Sequence, residues 1–490
     1  MNKHRLRGGA SQDAILLMAV KLITTLLGLA TTRLLSEYLS LYDYGTYSQI
    51  TLIASIVSSA TILGMMDGVN YFYHASPTPK EKEESVCSIF TLQCLVGTIA
   101  GGLVMALSTP LCAYFENPKI RSLLIFAAAL PLLQNLIGML QVLLVSVGKA
   151  SLLAIRNFAV SALRLLVVLL VVIATPSVWI VLLTSLTLDI LQILFFVVVL
   201  RKNHCKLHFQ KIRKKTVGQI LQYCAPMAIF TLVSSLNRDI DKYLVALWTD
   251  TQTMAVYTNA SRMLPFDIVI TSFTTVLLPR ISQAVAAADK PRAASLYKMF
   301  LEIAYISTTV LCCAALAASP QLMKLLYSNK YMDGLVIFCI YILVDMLRFT
   351  NATMVLSAAG KAQKLMLFSV ITVGMNVVLN ILLFQLMGPE GLALATLLST
   401  AGMGLMVIVS GAKELNCSVR ALFDGKYLLL FLLENAVLLP LLYGAQMWLE
   451  KQDVHYFAIL VIICGCYGLI MLGLNGKRIF KRMKEVNQTS

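Results

Sequence analysis

The sequence predicts an all-α polytopic membrane protein of about 14 transmembrane helices. Hydrophobic residues make up 58% of the 490 and charged residues only 13%, against about 25% charged in soluble proteins. Mean hydropathy is +0.80. Apolar runs of about 20 residues, the length that crosses a bilayer core, recur from end to end. No polar stretch between them is long enough to fold alone.

The basic N-terminus MNKHRLRGGASQD leads into an apolar run too long for a signal-peptide core and without a clear cleavage site, so it is expected to stay as the first span. Apolar runs bounded by charges and turn residues place spans near 12–35, 46–72, 86–110, 120–147, 151–174, 177–200, 219–247, 253–280, 295–318, 333–359, 363–387, 391–412, 425–447 and 455–474. Pro226 in span seven and Pro265 in span eight remove backbone donors, which lets both helices bend. The 11 cysteines lie mostly inside apolar runs and keep no company with histidines at metal-ligand spacing. They read as packing residues, and neither a metal nor a cofactor is expected.

A cytoplasmic N-terminus leaves only Lys119, Arg121, Lys324, Lys330 and Lys451 in outer loops. Arg201, Lys202, Lys206, Lys211, Arg213, Lys214, Lys215 and the tail Lys477, Arg478, Lys481, Arg482 and Lys484 then fall inside. An even number of spans returns the C-terminus to the same side. The net charge of +16 is therefore topology and attraction to anionic membrane lipids, and no nucleic-acid partner is expected.

An internal repeat divides the chain. Gly148-Lys149-Ala150 reappears as Gly360-Lys361-Ala362, 212 residues later by subtraction, and Phe115-Glu116-Asn117 meets Tyr327-Ser328-Asn329 at the same offset. Gly45-Thr46-Tyr47-Ser48 meets Ala255-Val256-Tyr257-Thr258 at 210. Three matches at nearly constant offset suggest two similarly oriented halves of six spans each. The expected organisation is an N-lobe over 1–200, a basic cytoplasmic linker over 201–218, a C-lobe over 219–415, and a helix pair with a basic tail over 416–490. Gly148 and Gly360 are expected to make equivalent tight turns on the cytoplasmic face.

Charged side chains inside spans are the candidate functional residues, since each costs about 2.5–3.5 kcal/mol at a helix centre. Lys21, Thr24, Thr25, Gly28, Thr31 and Thr32 share one stripe of span one, and adding 210 gives Thr231, Ser234, Ser235, Arg238, Asp241 and Lys242 of span seven. On a helical wheel Arg238, Asp241 and Lys242 share the polar face while Asp239 diverges. Arg33, Arg156 and Lys242 lie near span ends, where snorkelling to head groups is sufficient explanation. Arg348 has Asp345 one turn earlier, a self-neutralising pair. Lys21, Arg164, Arg238 and Arg262 lie deeper and lack an acid one turn away, apart from Asp241 near Arg238. With Arg348, these four are the candidate cavity cations.

Asn157 sits seven residues from Arg164 and Asn259 three from Arg262, so Thr24, Thr25, Asn157, Ser234, Asp241 and Asn259 form the supporting polar set. Interhelical hydrogen bonding is an equal reading for Gln134, Gln141, Asn376 and Asn380. Acids within spans are Asp67, Asp189, Asp239, Asp241, Asp267, Glu302, Asp345 and Glu434. A buried carboxylate can carry a proton or hold Na⁺, which makes Asp67, Asp267 and Asp345 candidates for ion coupling.

The paired halves, the stretch Tyr44-Gly45-Thr46-Tyr47-Ser48 opening span two, and Asp241-Lys242-Tyr243-Leu244 followed by Ala255-Val256-Tyr257-Thr258 resemble the polysaccharide transporters of the multidrug/oligosaccharidyl-lipid/polysaccharide (MOP) exporter superfamily. These are flippases of bacterial O-antigen and capsule repeat units. The resemblance covers about residues 10–415. It implies a V-shaped pair of lobes in the bacterial inner membrane that opens alternately to each side, carrying an undecaprenyl-diphosphate-linked oligosaccharide. Proton or Na⁺ coupling and contacts with polysaccharide assembly proteins belong to the same expectation. The last two spans match the fourteen-span layout of the related peptidoglycan-precursor flippases, whereas many sugar-repeat flippases have twelve.

A multidrug or cation antiporter of the same superfamily would favour acids and aromatics over the deep basic residues found here. A membrane glycosyltransferase or repeat-unit polymerase would carry a sizeable outer loop with catalytic residues. The longest outer loop is near 319–333, and no nucleophile, paired acids or phosphate-binding glycine loop is present, so an enzyme is not expected.

Overall fold

A computed structural model describes the backbone of residues 5–488 apart from 77, 204, 206 and 210–213. It describes side chains apart from those of 5–19, 150, 214–216, 226, 230, 268, 269, 272, 275, 276 and 479–488. Every regular element among these residues is helical, and contacts group the chain into two compact units, Met1–Thr258 and Asn259–Ser490.

The first unit contains α1 (Arg5–Tyr38), α2 (Leu41–Thr61), α3 (Met65–Ala75), α4 (Pro79–Ala106), α5 (Ser108–Tyr114), α6 (Ile120–Ser146), α7 (Ala150–Ala174), α8 (Val178–Lys202) and α9 (Lys214–Trp248). The unit boundary passes through α10 (Thr251–Ala260). The second unit continues with α11 (Asp267–Ala286), α12 (Lys290–Ala317), α13 (Ser319–Tyr327), α14 (Leu335–Leu347), α15 (Met354–Ala358), α16 (Ala362–Met387), α17 (Pro389–Glu414), α18 (Gly425–Lys451) and α19 (Tyr456–Gln488).

The repeat is written in the backbone. Ser40 accepts a hydrogen bond from the Asp43 N–H at 3.0 Å to start α2, and Asp250 accepts one from the Thr253 N–H at 2.7 Å to start α10. Thr78 followed by Pro79 caps α4, and Asp289 followed by Pro291 caps α12. Glu116 and Ser328 both have positive φ, 47° and 91°. Gly148 and Gly360, at 81° and 67°, close the same turn. Each glycine N–H bonds to the carbonyl three residues back, and the following lysine N–H bonds to the carbonyl five back. The two glycines are therefore equivalent in structure as well as in sequence.

Ten helices are individually long and apolar enough to cross a membrane, or 11 if segments 217–225 and 227–248, bent by 48°, form one span. This is the count among described residues, against an expectation of about 14. Side chains in the first half of α1 lie outside the described residues. Spans eight and ten are each interrupted: 261–266 are unwound between α10 and α11, and a 3₁₀ turn over Arg348–Asn351 separates α14 from α15. The first interruption contains Pro265, whose missing N–H cannot continue a helix.

Burial divides the helices within each unit. The most apolar windows of α6 and α12 are 61% and 72% buried, whereas the corresponding windows of α7 and α16 are only 11% and 17% buried. The latter turn Leu166, Leu170, Ile173, Leu367, Val370 and Val378 outward, as lipid-facing helices do. Gly45 has a packing reason too: a Cβ there would meet the Thr251 backbone carbonyl, so only glycine lets α2 and α10 touch. Beside that contact, buried Asn117 donates to Thr46 and Gln49 at 2.8 Å each and accepts from the Tyr42 hydroxyl at 2.8 Å. The polar residues of two motifs found in the sequence thereby satisfy one another.

The C-terminal pair α18 and α19 packs on α12 through Phe431, Ile459, Ile463, Tyr467 and Tyr305. Arg478 locks it. Its guanidinium donates to Glu302 at 2.8 Å and Asp424 at 2.7 Å, and lies 3.6 Å from the centre of the Tyr427 ring. The Arg478 hydrogen bond holds the Asp424 carboxyl below its ordinary range. Arg478→Gln should cost about 3–5 kcal/mol, because it strands the buried Glu302 carboxylate. Tyr427→Phe should cost only about 1 kcal/mol. Thermal unfolding of the purified protein reads both. Asp424's share of the clip is present above the ordinary carboxylate pKa and fades as pH falls through its lowered folded value.

Candidate functional site

Two charge clusters of the first unit hold candidate residues. On α9, Arg238 is exposed and reaches Asp239 and the Ser235 hydroxyl, both at 3.4 Å. Lys242 donates to the same Asp239 at 2.7 Å. Asp239 is therefore the carboxylate between the two cations, and the wheel expectation that it diverges is corrected. Wheel angles place Cα atoms, whereas the long Arg238 and Lys242 stems wrap round the helix to an acid one and three residues away. Asp241 is buried instead and accepts from the Tyr257 hydroxyl at 2.9 Å and from the Lys242 N–H. One turn earlier, the Ser235 and Ser59 hydroxyls meet at 2.7 Å, joining α9 to α2, while Ser234 is exposed.

The second cluster lies between α7 and α8. Arg164, which lacks an acid on its own helix, pairs across to Asp189 at 3.4 Å. Gln192 donates to Asp189 at 2.9 Å and accepts from Arg156, which also bonds Asn157 at 2.7 Å and lies 4.8 Å from the Phe196 ring centre. Snorkelling is the wrong account of Arg156, which is buried. Asn157 and Arg164 do belong to one network, through two residues on α8. Lys21 on α1 is exposed, and the Thr24 and Thr25 hydroxyls donate back to its own carbonyl at 2.9 and 2.8 Å. Asp67 is exposed on α3.

In the second unit the broken span gathers its own set. Asp345 on α14 is buried and accepts from the Leu264 N–H at 2.8 Å, satisfying a donor freed by the unwound 261–266. Arg348 meets Asp345 at 3.5 Å, the one-turn pair expected from spacing, and Asp267, in the first turn of α11, lies within electrostatic range. Asn259 is buried beside Tyr331, the Ser261 hydroxyl is buried without a partner among the described residues, and Arg262 is exposed near Tyr327. Asn376 and Asn380 bond each other, and Asn376 bonds Ser399 across helices, which is their structural reading.

Helices of this kind, in this order, recur in solved transporters and flippases. The lipid II flippase MurJ in an inward closed conformation superposes with a TM-score of 0.73 at 17% identity, covering 94% of this chain and 99% of that one. A multidrug resistance MATE transporter of the MOP superfamily, inward-facing, gives 0.63 at 14% identity over 82% and 98%. A MOP superfamily transporter from Pyrococcus furiosus, described by the reverse polarity of its binding pocket, gives 0.57 at 14% over 82% and 94%. No curated protein matches in sequence. The sequence model of the polysaccharide biosynthesis protein family matches residues 32–337, more than half of the chain, and the protein belongs to that family.

The pairing on α9 makes a direct prediction. A double-mutant cycle of Asp239→Asn with Lys242→Gln should show a coupling of about 1 kcal/mol in unfolding stability, whereas Asp241→Asn with Lys242→Gln should show none.

Proposed function

We propose that the protein flips undecaprenyl-diphosphate-linked oligosaccharide repeat units from the cytoplasmic to the outer leaflet of the bacterial inner membrane by alternating access. One observation carries the reading: Arg238 keeps 64% of its side chain exposed partway along a membrane helix, meeting its ion-pair partner Asp239 only at 3.4 Å. A diphosphate can compete for that guanidinium, since a bidentate phosphate contact is stronger than an ion pair at 3.4 Å. Membership of a polysaccharide biosynthesis family supports the glycan, and the MurJ-like fold suits a lipid-linked cargo.

In the first unit exposed Lys21 is the further candidate ligand, with Arg164 held in reserve by Asp189; in the second, exposed Arg262 and the Asp345-paired Arg348 are the candidate cations. Thr24, Thr25, Asn157, Ser234, Asp241 and Asn259 support them. Asp345, with Asp267 beside it, is the stronger coupling candidate, because its carboxylate holds the broken helix and its charge state would alter that grip. Asp67 is the weaker one. The charge exchange moves a head group without covalent chemistry, so no enzymatic role is assigned. A multidrug antiporter shares the fold, but exposed cations on α1 and α9 disfavour a cationic cargo.

Arg238→Ala should abolish surface polysaccharide in cells that depend on this protein while it still accumulates in the membrane. Arg238→Lys should retain part of the output, keeping the charge without the fork. Normal output from Arg238→Ala would remove the ligand role. Both termini are placed in the cytoplasm with the Gly148 and Gly360 turns. Cysteines introduced at Lys149 and Lys361, in a background lacking reactive native thiols, should then be labelled by an impermeant reagent only in opened cells. Labelling in intact cells would invert the topology.

A further inference from the structure

A cavity of about 650 Å³ opens in the first unit where α2 begins, α5 ends and α9 gives way to α10. Tyr42, Tyr114 and Trp248 supply aromatic faces, Glu116 and Asp250 supply carboxylates, and Gln252 an amide. At the other end of α9, where α3 ends and α4 begins, a second cavity of about 360 Å³ repeats the chemistry with Tyr71, Glu81, Glu84 and Gln219. Tyr223 of α9 stacks on Tyr71 there at 4.1 Å.

Aromatic faces pack against the C–H faces of sugar rings, while carboxylates and amides accept and donate to the hydroxyls around the rim. A pocket of several hundred Å³ is of the size that encloses a small organic ligand. The Lys119 ammonium, 4.9 Å from the Tyr42 ring centre and paired with Asp43 at 3.0 Å, already occupies one aromatic face. Trp248, Glu116 and Gln252 remain to pack on and hydrogen-bond a hydroxyl-rich ligand.

We infer that the cavity at Tyr42, Tyr114, Glu116, Trp248 and Gln252 is a glycan-docking site that holds the sugar portion of the cargo apart from the cations that hold its diphosphate. The inference rests on the flippase reading and deepens it. Glu116 has left-handed backbone at φ 47°, in the turn after α5, and the α9–α10 junction carries Trp248 and Gln252, so the site joins two connections between helices. Trp248 is the platform, and Glu116 with Gln252 are the hydrogen-bonding groups.

Trp248 is one of three tryptophans, so replacing Trp179 and Trp448 by phenylalanine leaves it as the sole reporter in the full-length protein. Maltotriose and chitotriose are titrated against this protein in nanodiscs, with tetraphenylphosphonium as the cationic probe. A saturable change in Trp248 emission with at least one sugar, weakened at least tenfold by Glu116→Ala with Gln252→Ala, is the expected result. A response to the cation alone overturns the glycan assignment in favour of a cation site. Silence toward both sugars, together with wild-type surface polysaccharide from a Trp248→Ala, Glu116→Ala variant in a deletion strain, overturns the site altogether. The deletion strain separates this from failure of the function itself: if it makes normal polysaccharide without the protein, the flippase reading falls.

Discussion

A charge carried into hydrocarbon must find its counter-charge on protein, because no water is there to solvate it, and the organisation of this molecule follows from that constraint. Asp239 between Arg238 and Lys242, Asp189 against Arg164, Asp345 against Arg348 and Glu302 against Arg478 are four local answers to it. They differ in how fully the pair is closed. Glu302 and Arg478 meet at 2.8 Å in a packed setting with a second carboxylate and a ring, which is a fastening. Arg238 meets Asp239 at 3.4 Å with most of its side chain uncovered, which is a charge available to something else. The same chemistry thus fastens helices at one end of the chain and leaves an exposed guanidinium in the middle.

How much of this was legible in the sequence depended on distance along the chain. Periodicity exposed the helices, and a nearly constant offset exposed the repeat and its paired Gly148 and Gly360 turns, whereas the paired caps emerged only from the structure. Arg348 and Asp345 were readable because one helical turn separates them. Arg164 and Asp189 were not, since their meeting requires knowing that α7 and α8 lie side by side at those levels. Asp239 was misread because a wheel treats side chains as spokes, and arginine and lysine are long enough to bend round one. Glu302 and Arg478 lie 176 positions apart, beyond any pattern in a single sequence.

The broken span shows the constraint acting on backbone rather than side chains. Unwinding 261–266 releases donors that lipid would leave unsatisfied, and the Asp345 carboxylate takes the Leu264 N–H in place of a helical carbonyl. Proline was the readable half of this device. The distant acceptor was the unreadable half.

The equivalent turns also preserve a history. The offset between halves is 210 at the caps of α2 and α10, 211 at those of α4 and α12, and 212 at the Gly148 and Gly360 turns, by subtraction of residue numbers. If the halves descend from one duplicated gene, two inserted residues are all the net length change between those caps and those turns. Such a chain tolerates substitution far better than insertion, because an extra residue in a span rotates every later side chain by about 100° and moves the lipid face inward.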